Sequence, residues 1–214
     1  TDYALATDGH GHWIALWTTS GPATGGLRKV VSSLSADEGQ SWTAPQVVNG
    51  ASPAIPSSSE ANPDLESDGS GTWVVAWEGE VVCHTGCHSR VFVARSTQNG
   101  AGWSAPHNVA DGWAPKVATD RNGTWIMAFH QELCDLDGCA LPELGLARST
   151  DSGDTWTTGL APFPGRGART PDIACDGNTW MIVWQHEHDT DAGTDLDLGP
   201  QELGIRSSIS VDGG

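Results

Sequence analysis

A chain of 214 residues is long enough for one sizeable domain with a real core, and its 27 Gly, 12 Pro and 11 Trp suit an all-β protein rich in turns. The formal charge of −17 excludes nucleic acid as a partner, because phosphates require a basic surface, and it favours solubility and cation binding. No stretch approaches the roughly 20 apolar residues of a membrane span; Thr1 opens directly on a strand-like segment, so any leader is expected to have been removed.

In chain order, the first predicted element is a Gly-containing turn followed by Trp, a hydrophobic run and a second aromatic. It occurs at 8–17 (DGHGHWIALW) and returns at 68–77 (DGSGTWVVAW), 120–129 (DRNGTWIMAF) and 176–184 (DGNTWMIVW). Self-similarity at this period implies stacked copies of one small unit. Gly9, Gly69 and Gly177 supply the positive φ that a tight hairpin needs. In the second copy, strands are predicted at 63–67, 72–78, 90–96 and 103–109. Alternation places Trp73, Val75 and Trp77 on one face of the second strand and Val74 and Ala76 on the other. Both faces are apolar, as a sheet packed between two neighbours requires.

A second element follows each first one. It reads Ser35-Ala-Asp37-Glu-Gly39-Gln-Ser41-Trp42, then Ser96-Thr-Gln98-Asn-Gly100-Ala-Gly102-Trp103, then Ser149-Thr-Asp151-Ser-Gly153-Asp-Thr155-Trp156, with a start at Ser210-Val-Asp212-Gly-Gly214. This resembles the Asp-box of the bacterial-neuraminidase repeat, S-x-D-x-G-x-[ST]-W, of the sialidase-like superfamily. Copies one and three match fully; copy two departs at Gln98 and Gly102. The resemblance implies an all-β propeller of four-stranded antiparallel blades, with about four repeats near 1–60, 61–112, 113–168 and 169–214, the last lacking its outermost strand. It also makes the box a folding element away from the active face. The Asp would accept N–H bonds within its turn and the Trp would anchor the turn on the sheet. Arg95, Arg148 and Arg206, which precede the boxes, are read as structural. Four blades are few for the family, so either missing blades or self-association is expected to cover the open faces and edge.

Cys83 and Cys87, and Cys134 and Cys139, occupy equivalent hairpins and suit two local disulfides, which persist in oxidising, secreted or extracytoplasmic surroundings. Cys175 fills the slot of Thr7, Ser67 and Thr119 and reads as a small core thiol.

Function is expected in the loops that differ between copies: 18–26, 78–89, 130–143 and 185–201, with the blade-to-blade segments 49–62, 110–114 and 163–169. Glu80, Glu132 and Glu187 share one aligned position; they suit cation coordination or acid/base chemistry, or form a solvated hairpin end. The 186–197 segment brings His186, His188, Asp189, Asp191, Asp195 and Asp197 around Gly193, a pattern that suits Ca²⁺ or an ordinary acidic loop. Trp113 is the only Trp outside a repeat slot, placed either to stack on a sugar or to pack over the neighbouring blade.

The sialidases of the resembling family use an arginine triad, a Tyr nucleophile with Glu, and an Asp acid/base. Here there are eight Arg and one Tyr, and Tyr3 aligns with Pro63, Pro115 and Pro171 on the innermost strand. Arg166 and Arg169 are the only arginines expected on the functional face. The sequence therefore favours a secreted, non-catalytic recognition module for glycan, protein or metal. The alternatives are an exo-sialidase or related glycoside hydrolase with part of its catalytic set outside this chain, and a structural segment of a larger secreted protein.

Overall fold

The computed structural model describes residues 3–21, 24–48, 57–83, 86–131, 134–135, 138–139, 143–160, 168–186 and 204–210. Blade 1 comprises β1 (Tyr3–Thr7), β2 (Trp13–Thr19), β3 (Lys29–Ser35) and the short β4 (Gln46–Val47). Blade 2 comprises β5 (Ser57–Ser67), β6 (Trp73–Cys83), β7 (Gly86–Ser96) and β8 (His107–Asp111). Blade 3 starts with β9 (Trp113–Thr119) and β10 (Trp125–Gln131); after a two-stranded ribbon, β11 (Cys134–Asp135) and β12 (Gly138–Cys139), it continues with β13 (Glu143–Ser149) and β14 (Thr157–Leu160). Blade 4 comprises β15 (Ala168–Cys175), β16 (Trp180–His186) and β17 (Gly204–Ser210). Every pairing within a blade is antiparallel, and the first strands β1, β5, β9 and β15 lie side by side in that order, which makes them the inner wall.

The repeat places its apolar residues on both faces, and the three interfaces between blades are where they go. Trp73, Val75 and Trp77 pack with Leu65 against Ile14, Leu16 and Val30 of blade 1. Val74 and Ala76, on the opposite face of β6, pack against Val117, Trp125, Met127 and Phe129 of blade 3. Ile126 and Ala128 then meet Ile173, Trp180, Ile182 and Trp184 of blade 4. This is the alternation read from the sequence, repeated one blade further. Burying each such aromatic contributes roughly 2–3 kcal/mol. The indole N–H groups of Trp73, Trp77 and Trp125 have no hydrogen-bond partner, so these rings act through area alone.

The box turns are folding elements in both matching copies. The Asp37 carboxylate accepts from the Ser41 N–H at 2.8 Å and from the Ser41 and Ser35 hydroxyls at 2.6 and 2.8 Å. These bonds hold its pKa down at about 2. Asp151 repeats the set with Thr155 and Ser149. Each box turn is tied to its own blade's first hairpin: the N–H groups of Glu38, Asn99 and Ser152 donate to the carbonyls of Gly11, Gly71 and Gly123. Trp103 and Trp156 reach across to the cores shared with the preceding blade, beyond their own sheet. Arg95 is structural: its Nη1 donates to the carbonyls of Asp151 and Ser152 at 3.3 and 3.2 Å, in the box turn of blade 3.

Several boundaries differ from the sequence reading. The 78–89 loop is mostly strand, because β6 and β7 stay paired out to Cys83 and Gly86. Trp113 opens β9 and is not part of a turn, and β8 begins only at His107. Cys175 is a half-buried free thiol packed against the core between blades 3 and 4, as read from the sequence, and its Sγ also accepts the Gly177 N–H at 3.3 Å, where Thr7 and Ser67 use a hydroxyl. The Cys134 and Cys139 backbones are direct partners across β11 and β12, whereas Cys83 pairs with Gly86 and Cys87 with Val82.

Candidate functional site

Hairpin connections put the first turns and the boxes at one end of the blades. At the other end stand the starts of the inner strands, the ends of β2 and β6, and the starts of β3 and β7 that pair with them. At this end blades 1 and 2 enclose a pocket of about 280 Å³ lined by Arg28, Ser59, Ala61, Glu78, Glu80 and Ser89. Glu78 and Glu80 arrive together because β6 continues past Trp77; its partners there are Val91 and Ser89 of β7.

Arg28 comes from blade 1, held by a parallel bridge to Ser59. Its Nε donates to the Thr18 hydroxyl at 3.1 Å, and its carbonyl accepts from the Glu60 N–H at 3.1 Å. Glu60, fully buried, braces the same junction by accepting from Lys29 Nζ at 3.0 Å and from the Val30 N–H at 2.7 Å. Sequence reasoning missed Arg28, having confined the arginines of this face to Arg166 and Arg169.

The inner strands share a deformation at this end. Asn62, Ala114 and Thr170, each just before a proline, have φ of 48°, 50° and 44°. The ladders slip there, between Ala61 and Asp64, between the partners of Ala128 and His130, and between Arg169 and Asp172. Left-handed backbone costs roughly 1–2 kcal/mol for a residue with a Cβ, and bulges of this kind re-aim side chains. Glu78 supports one of them, its Oε2 accepting the Ala114 N–H at 2.9 Å.

That bond connects the pocket to Trp113 on blade 3. The half-buried Trp113 ring stands edge-on to His130, with centroids 5.3 Å apart at 89°. Gly112, at φ 155°, admits no side chain, because a Cβ there would collide with the His130 carbonyl. His130 is only 4 % exposed, with its ring against the Arg169 backbone. Burial first, and the Arg169 charge second, hold its imidazole down at about 4, so it is neutral at pH 7. Lower on the inner wall, Asp64 accepts from Lys116 Nζ and from the Val117 N–H, both at 2.9 Å. Burial still pushes the Asp64 carboxyl above its ordinary value, against the pull of Lys116.

Of the sequence candidates, the structure brings Glu80 into the pocket and places Trp113 and Arg169 beside His130. Glu132, Glu187, Arg166, His188, Asp189, Asp191, Asp195 and Asp197 lie outside the described residues. His186 closes β16, paired through its backbone with Ala168 and Gly204. Among the described residues no three His, Cys, Asp or Glu side chains are grouped to hold a metal ion. No helix among them is long and apolar enough to cross a membrane. The missed signal was the residue directly after the second aromatic. It is Thr18, Glu78, His130 and Gln185 in the four copies, different each time and always at this end.

No family model matches the chain, and no curated protein matches it. Solved structures do. The GH93 α-L-arabinofuranosidase of Fusarium graminearum, in complex with arabinobiose, is 16 % identical with a TM-score of 0.66, over 98 % of this chain and 62 % of that one. The GH43 endo-arabinanase from Bacillus licheniformis is 14 % identical with a TM-score of 0.54, over 99 % and 71 %. A mutant Trypanosoma rangeli sialidase displaying trans-sialidase activity is 15 % identical with a TM-score of 0.55, over 86 % and 34 %. The chain thus spans less than two thirds of the arabinofuranosidase and about a third of the sialidase. The likeness shows a sialidase-like propeller fold.

Proposed function

We propose that this chain is a carbohydrate-recognition propeller whose ligand lies at the end of the blades that carries Arg28, Glu78, Glu80 and Ser89. The observation that carries the reading is that pocket: an arginine, two glutamates and two serines line a space of about 280 Å³. Carboxylates accept from sugar hydroxyls, a guanidinium donates to them, and the neighbouring Trp113 ring offers an apolar face to a pyranose or furanose. The fold neighbours support the class of ligand, since all three act on or are bound to carbohydrate. Titration calorimetry with arabino-oligosaccharides and with sialyl-lactose tests it. Saturable binding that Glu80→Gln weakens at least tenfold is expected; heat indistinguishable from dilution for both, in folded protein, rejects it.

A second reading, hydrolysis, is favoured by one feature: Glu78 and Glu80 line the same pocket, and glycoside hydrolysis most often needs two carboxylates. Release of reducing sugar that both Glu78→Gln and Glu80→Gln abolish would replace recognition by catalysis. Binding of Ca²⁺ by the 186–197 segment belongs to the same proposal, since its oxygen ligands suit a hard cation. Calcium titration with and without Asp191→Asn and Asp195→Asn tests it.

A further inference from the structure

The Trp113 backbone is held from both sides by residues that line the pocket. The Gly112 N–H before it donates to the Ser89 carbonyl, and the Ala114 N–H after it donates to Glu78 Oε2, both at 2.9 Å. Alternation along β6 puts Glu78 on the face that carries Val74 and Ala76, the face turned to blade 3.

The second of these bonds does what the sheet cannot. In β9, Trp113 pairs with His130 and Lys116 with Ala128, so Ala114 and Pro115 together stand opposite Phe129 alone. Such a bulge interrupts the ladder, and Pro115 has no N–H to contribute. A residue before proline prefers extended backbone, yet Ala114 has φ 50°. A carboxylate from the neighbouring blade supplies the acceptor, in a charge-assisted bond. The same slot braces a second bulge. His130, the counterpart of Glu78 in blade 3, lays its ring against the Arg169 backbone, next to Thr170 at φ 44°.

We infer that Glu78 is a positioning residue, which fixes the direction of the Trp113 ring and acts on the sugar through that ring. The role rests on carbohydrate recognition at this end of the blades. Were the bulge to relax by one residue, β9 would send the ring to its opposite face, because side chains alternate along a strand. The perpendicular contact with His130 takes up at most one face of the indole. Gly112 cannot absorb the change, since it already sits against the His130 carbonyl. The acceptor on Ala114 is therefore what keeps the ring aimed.

A double-mutant cycle read by titration calorimetry with arabinotriose and sialyl-lactose tests this. Glu78→Ala is expected to weaken binding at least tenfold. Glu78→Gln, whose amide oxygen still accepts the Ala114 N–H, should recover most of that loss. In a Trp113→Ala background Glu78→Ala should cost no further affinity, since the ring through which it acts is gone. Circular dichroism checks folding, and Glu78→Ser or Trp113→Leu replaces an alanine variant that fails it. Fluorine NMR of the fluorotryptophan-labelled chain reads the ring without any sugar, the Trp113 signal being assigned by its loss on substitution. Glu78→Ala should move that signal and Glu78→Gln restore it. Losses that add in the double variant, Glu78→Gln binding as weakly as Glu78→Ala, or a Trp113 signal that ignores both substitutions, overturns the inference. A wild-type chain that takes up neither sugar while the Trp113 signal moves as described counts against carbohydrate recognition and for the brace.

Discussion

The two ends of the blades are built from the same repeat and treat it oppositely. At the box end, every copy solves the same problem in the same way. The turn carboxylates of Asp8, Asp68, Asp120 and Asp176 each accept two N–H groups of their own hairpin, and three box turns tie back to those hairpins. At the pocket end the copies diverge. The residue after the second aromatic changes in each copy, the inner strands are bulged at left-handed residues, and the His130 imidazole is buried. Stability is concentrated at one end, and the cost of special chemistry is accepted at the other.

The contrast is open to attack, starting with the change of largest expected effect. Gly112→Ala, at the pocket end, must displace the His130 backbone; we expect a loss of about 3–4 kcal/mol in denaturant unfolding together with the loss of sugar binding. Next is the acid limb. His130 has a folded pKa depressed to about 4 from the ordinary 6.5, so the unfolded chain takes up the proton first as pH falls. Stability should therefore drop by roughly 2–4 kcal/mol between pH 6.5 and 4. The His130→Leu variant should lack that component, and a pH profile identical to wild type would remove the imidazole from the account.

Asp151→Ala, at the box end, removes the acceptor of four hydrogen bonds and should cost about 1–2 kcal/mol while leaving carbohydrate affinity unchanged. Glu80→Gln is its mirror image: affinity falls at least tenfold, while stability falls by less than in Asp151→Ala. If the two variants exchanged their effects, the division between the ends would be wrong. Trp77→Phe loses packing area and leaves a cavity but no hydrogen bond, so its cost should stay below that of Gly112→Ala, and blade 3 already carries Phe129 in that slot.

The fold was legible where one period dominated. Trp73, Val75 and Trp77 against Val74 and Ala76 is a period of two with both faces apolar, and only a sheet between two sheets satisfies it. The reading failed where the apolar signal stopped before the strand did: Glu78, Gly79 and Glu80 are polar or small, yet the ladder continues through them. It failed again at Arg28, whose position depends on a bridge to Ser59 in the next blade that no local pattern announces. Glu80 was found because three copies share it. Glu78 and His130 were missed because each differs from its counterparts, although an outlier within a regular series is itself a signal.

The β6–β7 hairpin runs on for several residues beyond the rings that glue blade 2 to its neighbours. Its last residue pairs, Val82 with Cys87 and Cys83 with Gly86, are therefore mechanically outboard. Evolution, or an engineer, can lengthen, shorten or graft that finger as a cassette without reopening the tryptophan-lined seams beneath it, so that specificity is exchanged at little cost to the body that carries it.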